Sequence, residues 1–262
     1  MNSKIVFIVS TFFALILFTS CSTDDEKDHA FNYINLEFYE HFSSENSFIH
    51  FNLSTLESFP CNNFTLEVQV ETYTGHTEIQ VIDIDVPDIC ITTIGPATQL
   101  LQIAPPNEIN PNFTLWVNDK RHEFKINIAD NLISIEQGKP FDNHLFFNFD
   151  TLMRIPENTV WGYVIFEQSK NEKNNIWTEI MKAFKDAGAT ELLLDNGFYY
   201  YFSVKNNEIQ FDNIKQDIIT FHFHFDEPLE VLTEIFYRVT EQFQDTDIQL
   251  RLFNTKGERF IM

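Results

Sequence analysis

Short runs that alternate apolar and polar residues fill the chain from about residue 31 to residue 149, and this period of two constrains the fold most. Successive side chains of a β-strand point to opposite faces, so the alternation predicts strands, and almost no helical period accompanies it. Turn residues such as Thr74-Gly75 and Asn118-Asp119 separate the runs. The predicted strands are residues 33–40, 47–54, 64–73, 77–84, 97–103, 113–117, 122–128 and 144–149. Their number and spacing favour an immunoglobulin-like β-sandwich over residues 31–150, with a partial barrel as the alternative.

The pattern changes near residue 150 to alternating strands and helices, which indicates a domain boundary. Helical spacing of apolar residues and the Asn196-Gly197 hairpin signal define the elements that follow. In order, they are strand 160–166, helix 174–187, strands 190–194 and 198–204, strand 217–225, helix 228–243 and strand 247–253. This βαββαβ order with an extra hairpin ribbon predicts a ferredoxin-like α+β domain over residues 151–262, with both helices on one sheet face. The predicted class is mostly β plus α+β.

The first twenty residues have the pattern of an export signal peptide. Their apolar run from Ile5 to Phe18 would extend about 21 Å as a helix, whereas the hydrocarbon layer of a membrane is roughly 30 Å thick. A cleaved signal is therefore favoured over a permanent transmembrane helix.

Cys21 follows Leu17-Phe18 and the small residues Thr19-Ser20, and this stretch resembles a bacterial lipobox. The acidic tract at residues 22–26 resembles the export signal of surface-exposed lipoproteins of the Bacteroidota type. The resemblance implies cleavage before Cys21, a diacylglyceryl group on its sulfur, and an acidic tether over residues 21–30. It also implies an outer-membrane location, lipid-anchored and facing the cell exterior. Two or three acyl chains would make that anchor stable in the bilayer.

Two cysteines, Cys61 and Cys90, remain once Cys21 is assigned to lipid. Export takes the chain into an oxidising compartment, where two free thiols pair. We therefore expect a disulfide between them. A redox or nucleophilic role is not indicated, because neither residue belongs to a CxxC pair.

Charge and glycine spacing exclude several classes of protein. The chain has 39 acidic and 17 basic side chains, a net charge of −22, which disfavours binding to nucleic acid or to an anionic membrane surface. No two of the seven glycines are closer than nine residues, so phosphate-binding loops and glycine-flanked nucleophilic serines are excluded. No cofactor is predicted, and the protein is interpreted as an enzyme only in an alternative hypothesis.

The alternation in Phe221–Phe225 places His222 and His224 on one strand face and three phenylalanines on the other. Two imidazoles at this spacing are a candidate metal site, provided that a third ligand joins them. The favoured alternative is that the phenylalanines pack beneath the helices while the histidines occupy the wetter face.

A second candidate site is aromatic. Tyr199 and Tyr201 are expected on one face of a hairpin, and Trp161 and Tyr163 of the first strand could join them in stacking on a sugar or a protein partner. The favoured alternative is that these rings belong to the core.

Thr151 lies in Asp150-Thr151-Leu152, which resembles the short O-glycosylation motif of exported proteins of the same bacterial group. The resemblance implies a glycan on the Thr151 hydroxyl.

Taken together, these features favour a cell-envelope lipoprotein that acts as a non-enzymatic binding or interaction module. Its expected partners are the bilayer, through acylated Cys21, and a protein or glycan. One alternative is a secreted metal-dependent hydrolase that uses His222 and His224. Another is a structural homodimer or immunity-type protein that pairs through the sheet face opposite the helices.

Replacement of Cys21 by serine tests the anchor. Serine cannot form the thioether, so we expect the C21S protein in the soluble fraction and the unaltered protein in the membrane fraction. Mass spectrometry of the unaltered protein should find residue 21 at the N-terminus with its lipid. An unmodified Cys21 behind an intact leader would contradict the assignment.

Overall fold

A computed structural model describes residues 30–109, 111–138, 143–166, 173–212, 214–246 and 248–262. The predicted signal peptide and Cys21 lie outside these residues. The described part is β-rich with two helices, which confirms the β-rich α+β class. Neither helix is long and apolar enough to cross a membrane.

The first ten strands form one sheet in the order β10-β8-β7-β6-β4-β3-β5-β2-β1-β9. Their bounds are β1 Ile34–Phe42, β2 Ser47–Thr55, β3 Thr65–Tyr73, β4 His76–Asp85, β5 Thr98–Ala104, β6 Asn112–Val117, β7 Lys120–Ile128, β8 Leu132–Gln137, β9 Leu145–Phe147 and β10 Thr151–Met153. Only one residue pair, Thr65 with Thr98, joins β3 to β5. The sheet therefore divides there into a layer of six strands and a layer of four.

The two layers pack face to face around an aromatic core. Phe51 of β2 lies 5.2 Å, between ring centroids, from Phe113 of β6, although three strands separate β2 from β6 in the sheet order. Phe113 stacks in turn on Phe124 of β7 at 5.2 Å. These contacts require the sheet to curl over on itself. Its two edge strands, β9 and β10, are consecutive in the chain, so the curled sheet is nearly closed.

The remaining elements build a second sheet, a pair of helices and a small ribbon. Their bounds are β11 Thr159–Phe166, α1 Lys173–Asp186, β12 Gly197–Phe198, β13 Ser203–Lys205, β14 Glu208–Gln210, β15 Ile218–His224, α2 Leu229–Gln242, β16 Ile248–Asn254 and β17 Arg259–Ile261. The sheet order is β15-β11-β16-β17, and the ribbon order is β12-β13-β14. Both helices and β15 agree with the predicted ranges to within one residue at each end. The predicted boundary at residue 150 falls just before β10 and stays a prediction.

The helices cover one face of the second sheet, as predicted. Phe221 and Phe223 of β15, and Phe225 directly after it, are buried with Phe184 of α1 and Phe236 of α2 in one cluster. The opposite face is covered by the ribbon, by the segment before it and by Phe42 of β1. These residues form a further aromatic cluster with Trp161. A chain that buries both faces of a sheet leaves less apolar surface exposed to water.

The predicted hairpin at Asn196-Gly197 is wrong. The segment 190–194, which was predicted as a strand, forms one isolated β-bridge, between Thr190 and His224. The predicted strand 198–204 is interrupted by a turn. The turn spans Tyr199–Phe202, where the Tyr199 N–H donates to the Phe202 carbonyl at 2.9 Å. Tyr200 adopts the left-handed region at φ 67°, a conformation that costs energy for a tyrosine and has to be offset by packing.

A two-residue turn of the expected kind occurs ten residues later. Asn206 and Asn207 connect β13 to β14 with φ of 54° and 62°, the left-handed pair that a type I′ hairpin requires. Asparagine tolerates this region better than other residues with a Cβ. Strand β8 was also missed by the sequence prediction, which placed no element between residues 128 and 144.

The predicted disulfide is present. Cys61 and Cys90 are bonded, and the bond joins the loop after β2 to the loop after β4. Cys61 is buried in the first core, whereas Cys90 is exposed.

Replacing Cys61 and Cys90 together by alanine should lower the free energy of unfolding by about 3 to 4 kcal/mol, because the bond restricts a loop of 29 residues in the unfolded chain. Urea unfolding followed by circular dichroism measures the change. A reducing agent applied to the unaltered protein is the matched control and should produce the same shift. An unchanged unfolding midpoint in both experiments would contradict the prediction.

Candidate functional site

The Tyr199–Phe202 turn carries the ribbon onto the first sheet. The ring of Tyr200 stacks on Tyr39 of β1 with centroids 4.0 Å apart and planes within 6° of parallel. The Tyr201 hydroxyl donates to the backbone carbonyl of Glu40 at 3.0 Å. These two contacts offset the cost of the left-handed backbone at Tyr200, and they fix the position of the Tyr201 ring.

Glu40 is the charged residue that holds the end of β1 in place. Its carboxylate accepts two hydrogen bonds from the Arg154 guanidinium, each of 2.9 Å, and a third from the Ser47 hydroxyl at 2.7 Å. Glu40 is 6% exposed and Arg154 is 23% exposed. The hydrogen bond to Glu40 raises the pKa of Arg154, so the guanidinium stays charged. A buried, fully paired ion pair of this kind strongly resists separation.

Four aromatic rings meet beside this ion pair and form the walls of an open cleft of about 440 Å³, here named the aromatic cleft. Trp161 of β11 is central. Its ring centroid lies 6.2 Å from Phe42, 5.8 Å from Tyr201 and 6.1 Å from Phe253. The volume falls in the range of sites for small ligands.

Polar groups line the rim of the aromatic cleft. They are His41 at the end of β1, and Glu258 and Arg259 from the turn and strand after β16. Gly257 brings this turn against β1: a Cβ at Gly257 would lie 2.5 Å from the Phe42 carbonyl oxygen, and its φ of +78° is strained for other residues. A larger residue at 257 would therefore push the rim away from the rings.

A smaller cleft of about 210 Å³ shares Trp161, Tyr201 and Phe253 with the aromatic cleft. Tyr163 and Phe211 add further rings, 4.9 Å apart, and Asp212 is its acidic group. The shared rings make the two clefts neighbours on one aromatic surface.

Three of the four predicted binding residues come together here. Trp161 and Tyr201 line both clefts, and Tyr163 lines the smaller one. They do not form an exposed patch, since Trp161 is 3% exposed and Tyr163 is 6% exposed. Tyr199 is not among the residues that line either cleft: it is buried, stacks on Phe202 at 5.2 Å and donates its hydroxyl to the Asp195 carbonyl.

The sequence analysis did not select Phe42, Phe253, His41 or Arg259. Phe42 and Phe253 are more than two hundred residues apart in the chain, and each ends or nearly ends a strand. No local pattern connects such positions. Only the contacts of the folded chain could have identified them.

The two candidate metal ligands lie on β15 as the alternation predicted, opposite the buried phenylalanines. His222 Nε2 lies 3.0 Å from the Leu192 carbonyl and 3.2 Å from Asn207 Oδ1. Both partners are acceptor oxygens, so Nε2 donates and links the ribbon to the sheet. Burial lowers the pKa of His222. In the residues that the structure describes, no group of three or more His, Cys, Asp or Glu side chains could hold a metal ion. The metal site at His222 and His224 stays a prediction.

The predicted glycosylation residue, Thr151, is exposed at the start of β10, and its hydroxyl lies 3.3 Å from Asp150 Oδ1. Exposure is necessary for modification, and the glycan itself stays a prediction. The predicted lipid attachment at Cys21 lies outside the described residues.

Comparison of the chain with protein families, with curated protein sequences and with solved structures gives no match. The side chains of the two clefts therefore provide the basis for assigning a function.

The free energy of unfolding at alkaline pH should depend on the three tyrosines of the Tyr199–Phe202 turn. Burial raises the pKa of Tyr199 to about 12, and burial likewise raises the pKa of Tyr200 and of Tyr201. The folded protein thus keeps protons that the unfolded chain loses, and the free energy of unfolding should fall as pH rises from about 10 through about 12.

Urea unfolding at increasing pH, with tyrosinate absorbance recorded in parallel, measures this fall. The variant Y199F should make it shallower, because one of the groups responsible is removed. Y237F, on the exposed face of α2, is the matched control. A stability curve that is flat from pH 10 upward until the chain unfolds would contradict the prediction.

Proposed function

We propose that this protein is a lipid-anchored, non-enzymatic glycan-binding module that holds a neutral sugar in the aromatic cleft. The observation that supports it is the convergence of Phe42, Trp161, Tyr201 and Phe253 around one open cleft of about 440 Å³. A sugar ring has an apolar face of C–H groups and a periphery of hydroxyls. Aromatic walls fit the face, and a few polar groups at the rim fit the hydroxyls.

The rim supplies groups of both hydrogen-bonding types. The Arg259 guanidinium is a donor, the Glu258 carboxyl group is an acceptor, and the His41 imidazole adds two ring nitrogens, so adjacent sugar hydroxyls can each find a partner. The net charge of −22 repels anionic glycans at long range. A neutral oligosaccharide is therefore favoured over an acidic one.

The proposed location follows from the leader. Lipid on Cys21 would hold the protein in the outer membrane, and the acidic tether over residues 21–30 would extend it into water. At the cell exterior, a glycan-binding module meets polysaccharides from outside the cell. A glycan on the exposed Thr151 belongs to the same proposal.

We also propose the finer architecture. The order β15-β11-β16, all antiparallel, and the Thr190 bridge on the outer side of β15 support a ferredoxin-like core whose second strand is reduced to one residue pair. The facing layers of four and six strands support an immunoglobulin-like β-sandwich. The parallel pairing of β4 with β6 departs from the antiparallel pattern of that family.

Binding of neutral oligosaccharides by the purified protein tests the function. Because Trp161 lines the cleft, we expect a bound oligosaccharide to change tryptophan fluorescence, and the change should disappear in W161F. W116F is the matched control, because Trp116 lies on β6 and is hydrogen-bonded to Glu78. It should retain the change.

Affinity for the same oligosaccharide should fall about tenfold or more in R259A, because one rim donor to the sugar is lost. R238A, which removes an exposed arginine of α2, should bind as the unaltered protein does. Titration calorimetry measures both. If no neutral oligosaccharide in a broad panel binds at millimolar concentration, or if R259A and W161F leave binding unchanged, the cleft is not a glycan site.

A further inference from the structure

One edge of the second sheet lacks a full partner strand. Directly after β15, the Phe225 N–H donates to the carbonyl of Asn158, which directly precedes β11, so the odd-numbered residues of β15 direct their backbone groups toward β11. Even-numbered residues direct theirs outward. His224 uses both outward groups, in hydrogen bonds of 2.9 and 3.0 Å with Thr190. Thr220 and His222 have no backbone partner on this edge among the described residues.

A groove of about 410 Å³ runs along this free edge. Helix α1 borders one side with Trp177, Met181 and Lys185, and β14 with its preceding turn borders the other. The Thr190–Leu192 segment closes one end. The floor of the groove is thus the outward-facing backbone edge of β15, and side chains form both walls. Sites that bind a peptide as an additional strand of a sheet have this arrangement.

No part of the chain that the structure describes fills this edge. After Thr190 it leaves β15, and the His222 ring bonds to the Leu192 carbonyl on the ribbon side. An added strand would lie beside Thr220 and His222 of β15 and would continue the pairing that Thr190 begins at His224. Its alternate side chains would face α1 on one side and the ribbon on the other.

From this geometry we infer that the edge of β15 binds an extended peptide segment of a partner protein, with apolar and basic residues in alternation. Side chains that face α1 meet the rings and thioether of Trp177, Phe221 and Met181. Side chains that face the ribbon meet the carboxylates of Glu191 and Glu208. Main-chain hydrogen bonds to Thr220 and His222 supply the remaining affinity.

Charge argues for a basic partner and against a second copy of this chain. Two copies joined through this edge would bring together two molecules of net charge −22, along with both sets of groove carboxylates. A basic peptide segment is attracted by the same negative charge. The inference is independent of the aromatic cleft, because the groove shares none of its residues.

The probe for the test is a short synthetic peptide that alternates valine with lysine. On its addition, hydrogen exchange at the Thr220 and His222 amides, measured by NMR, should slow about tenfold or more. A peptide of the same length that alternates valine with glutamate should bind at least about tenfold more weakly, because the groove carboxylates repel it.

The variant T220P removes one outward N–H and leaves the bonds between β15 and β11 in place, since proline is tolerated on an edge strand at a position whose N–H faces outward. It should weaken binding of the valine-lysine peptide about tenfold. T220V, which keeps the N–H, is the matched control and should bind normally. If T220P does not fold, a peptide with N-methyl groups on its inward-facing amides tests the reciprocal bonds, which run from the peptide N–H groups to the outward carbonyls of β15.

Three results would overturn the inference. The first is that the valine-lysine peptide does not bind at millimolar concentration. The second is that it binds T220P, or its N-methylated form binds the unaltered protein, as tightly as before. The third is that the protein alone is a dimer in ultracentrifugation with the Thr220 and His222 amides already protected, which would assign the edge to a second copy.

Discussion

Strand β11 is buried on both faces along nearly its whole length, and the rest of the second sheet is arranged to satisfy this constraint. A strand of this kind cannot be left with one face in water, because its apolar residues point both ways. The helices cover Val160 and Val164, and the ribbon covers Trp161. Gly162 permits the closest approach, since a Cβ there would lie 2.1 Å from the Arg251 carbonyl oxygen.

The ribbon that covers β11 also ties the second sheet to β1. Its turn places Tyr200 on Tyr39 and joins Tyr201 to the Glu40 backbone, while the Glu40 carboxylate pairs with Arg154. Tyrosine suits this role, because its ring packs while its hydroxyl reaches a polar partner. The walls of the aromatic cleft therefore come from strands far apart in sequence, and the cleft exists only in the folded chain.

Regular elements could be predicted from the sequence, and the site could be predicted only in part. Helical spacing identified α1 and α2, and alternation identified β15 with its buried phenylalanines, because each pattern repeats over several turns or residues. The Tyr199–Phe202 turn was missed because stacking of Tyr200 on Tyr39 outweighs the local preference of Asn196-Gly197 for a hairpin. Trp161, Tyr163 and Tyr201 were selected for their chemistry, whereas Phe42 and Phe253 are brought to the cleft by long-range packing, which leaves no local signal.

The aromatic cleft and the free edge of β15 both arise because the backbone leaves the edge of β15 after Thr190. The segment after α1 begins as a partner for β15 at Thr190 and then crosses to the opposite sheet face, where it covers Trp161. Had it continued along β15, the outward groups of Thr220 and His222 would be paired, but Tyr201 would not reach Glu40, and Trp161 would lose its cover. The cleft and the free edge thus both arise because this segment covers the face of the sheet and does not pair with its edge. The aromatic residues of this region favour covering the face, because burying their rings together with Trp161 removes apolar surface from water.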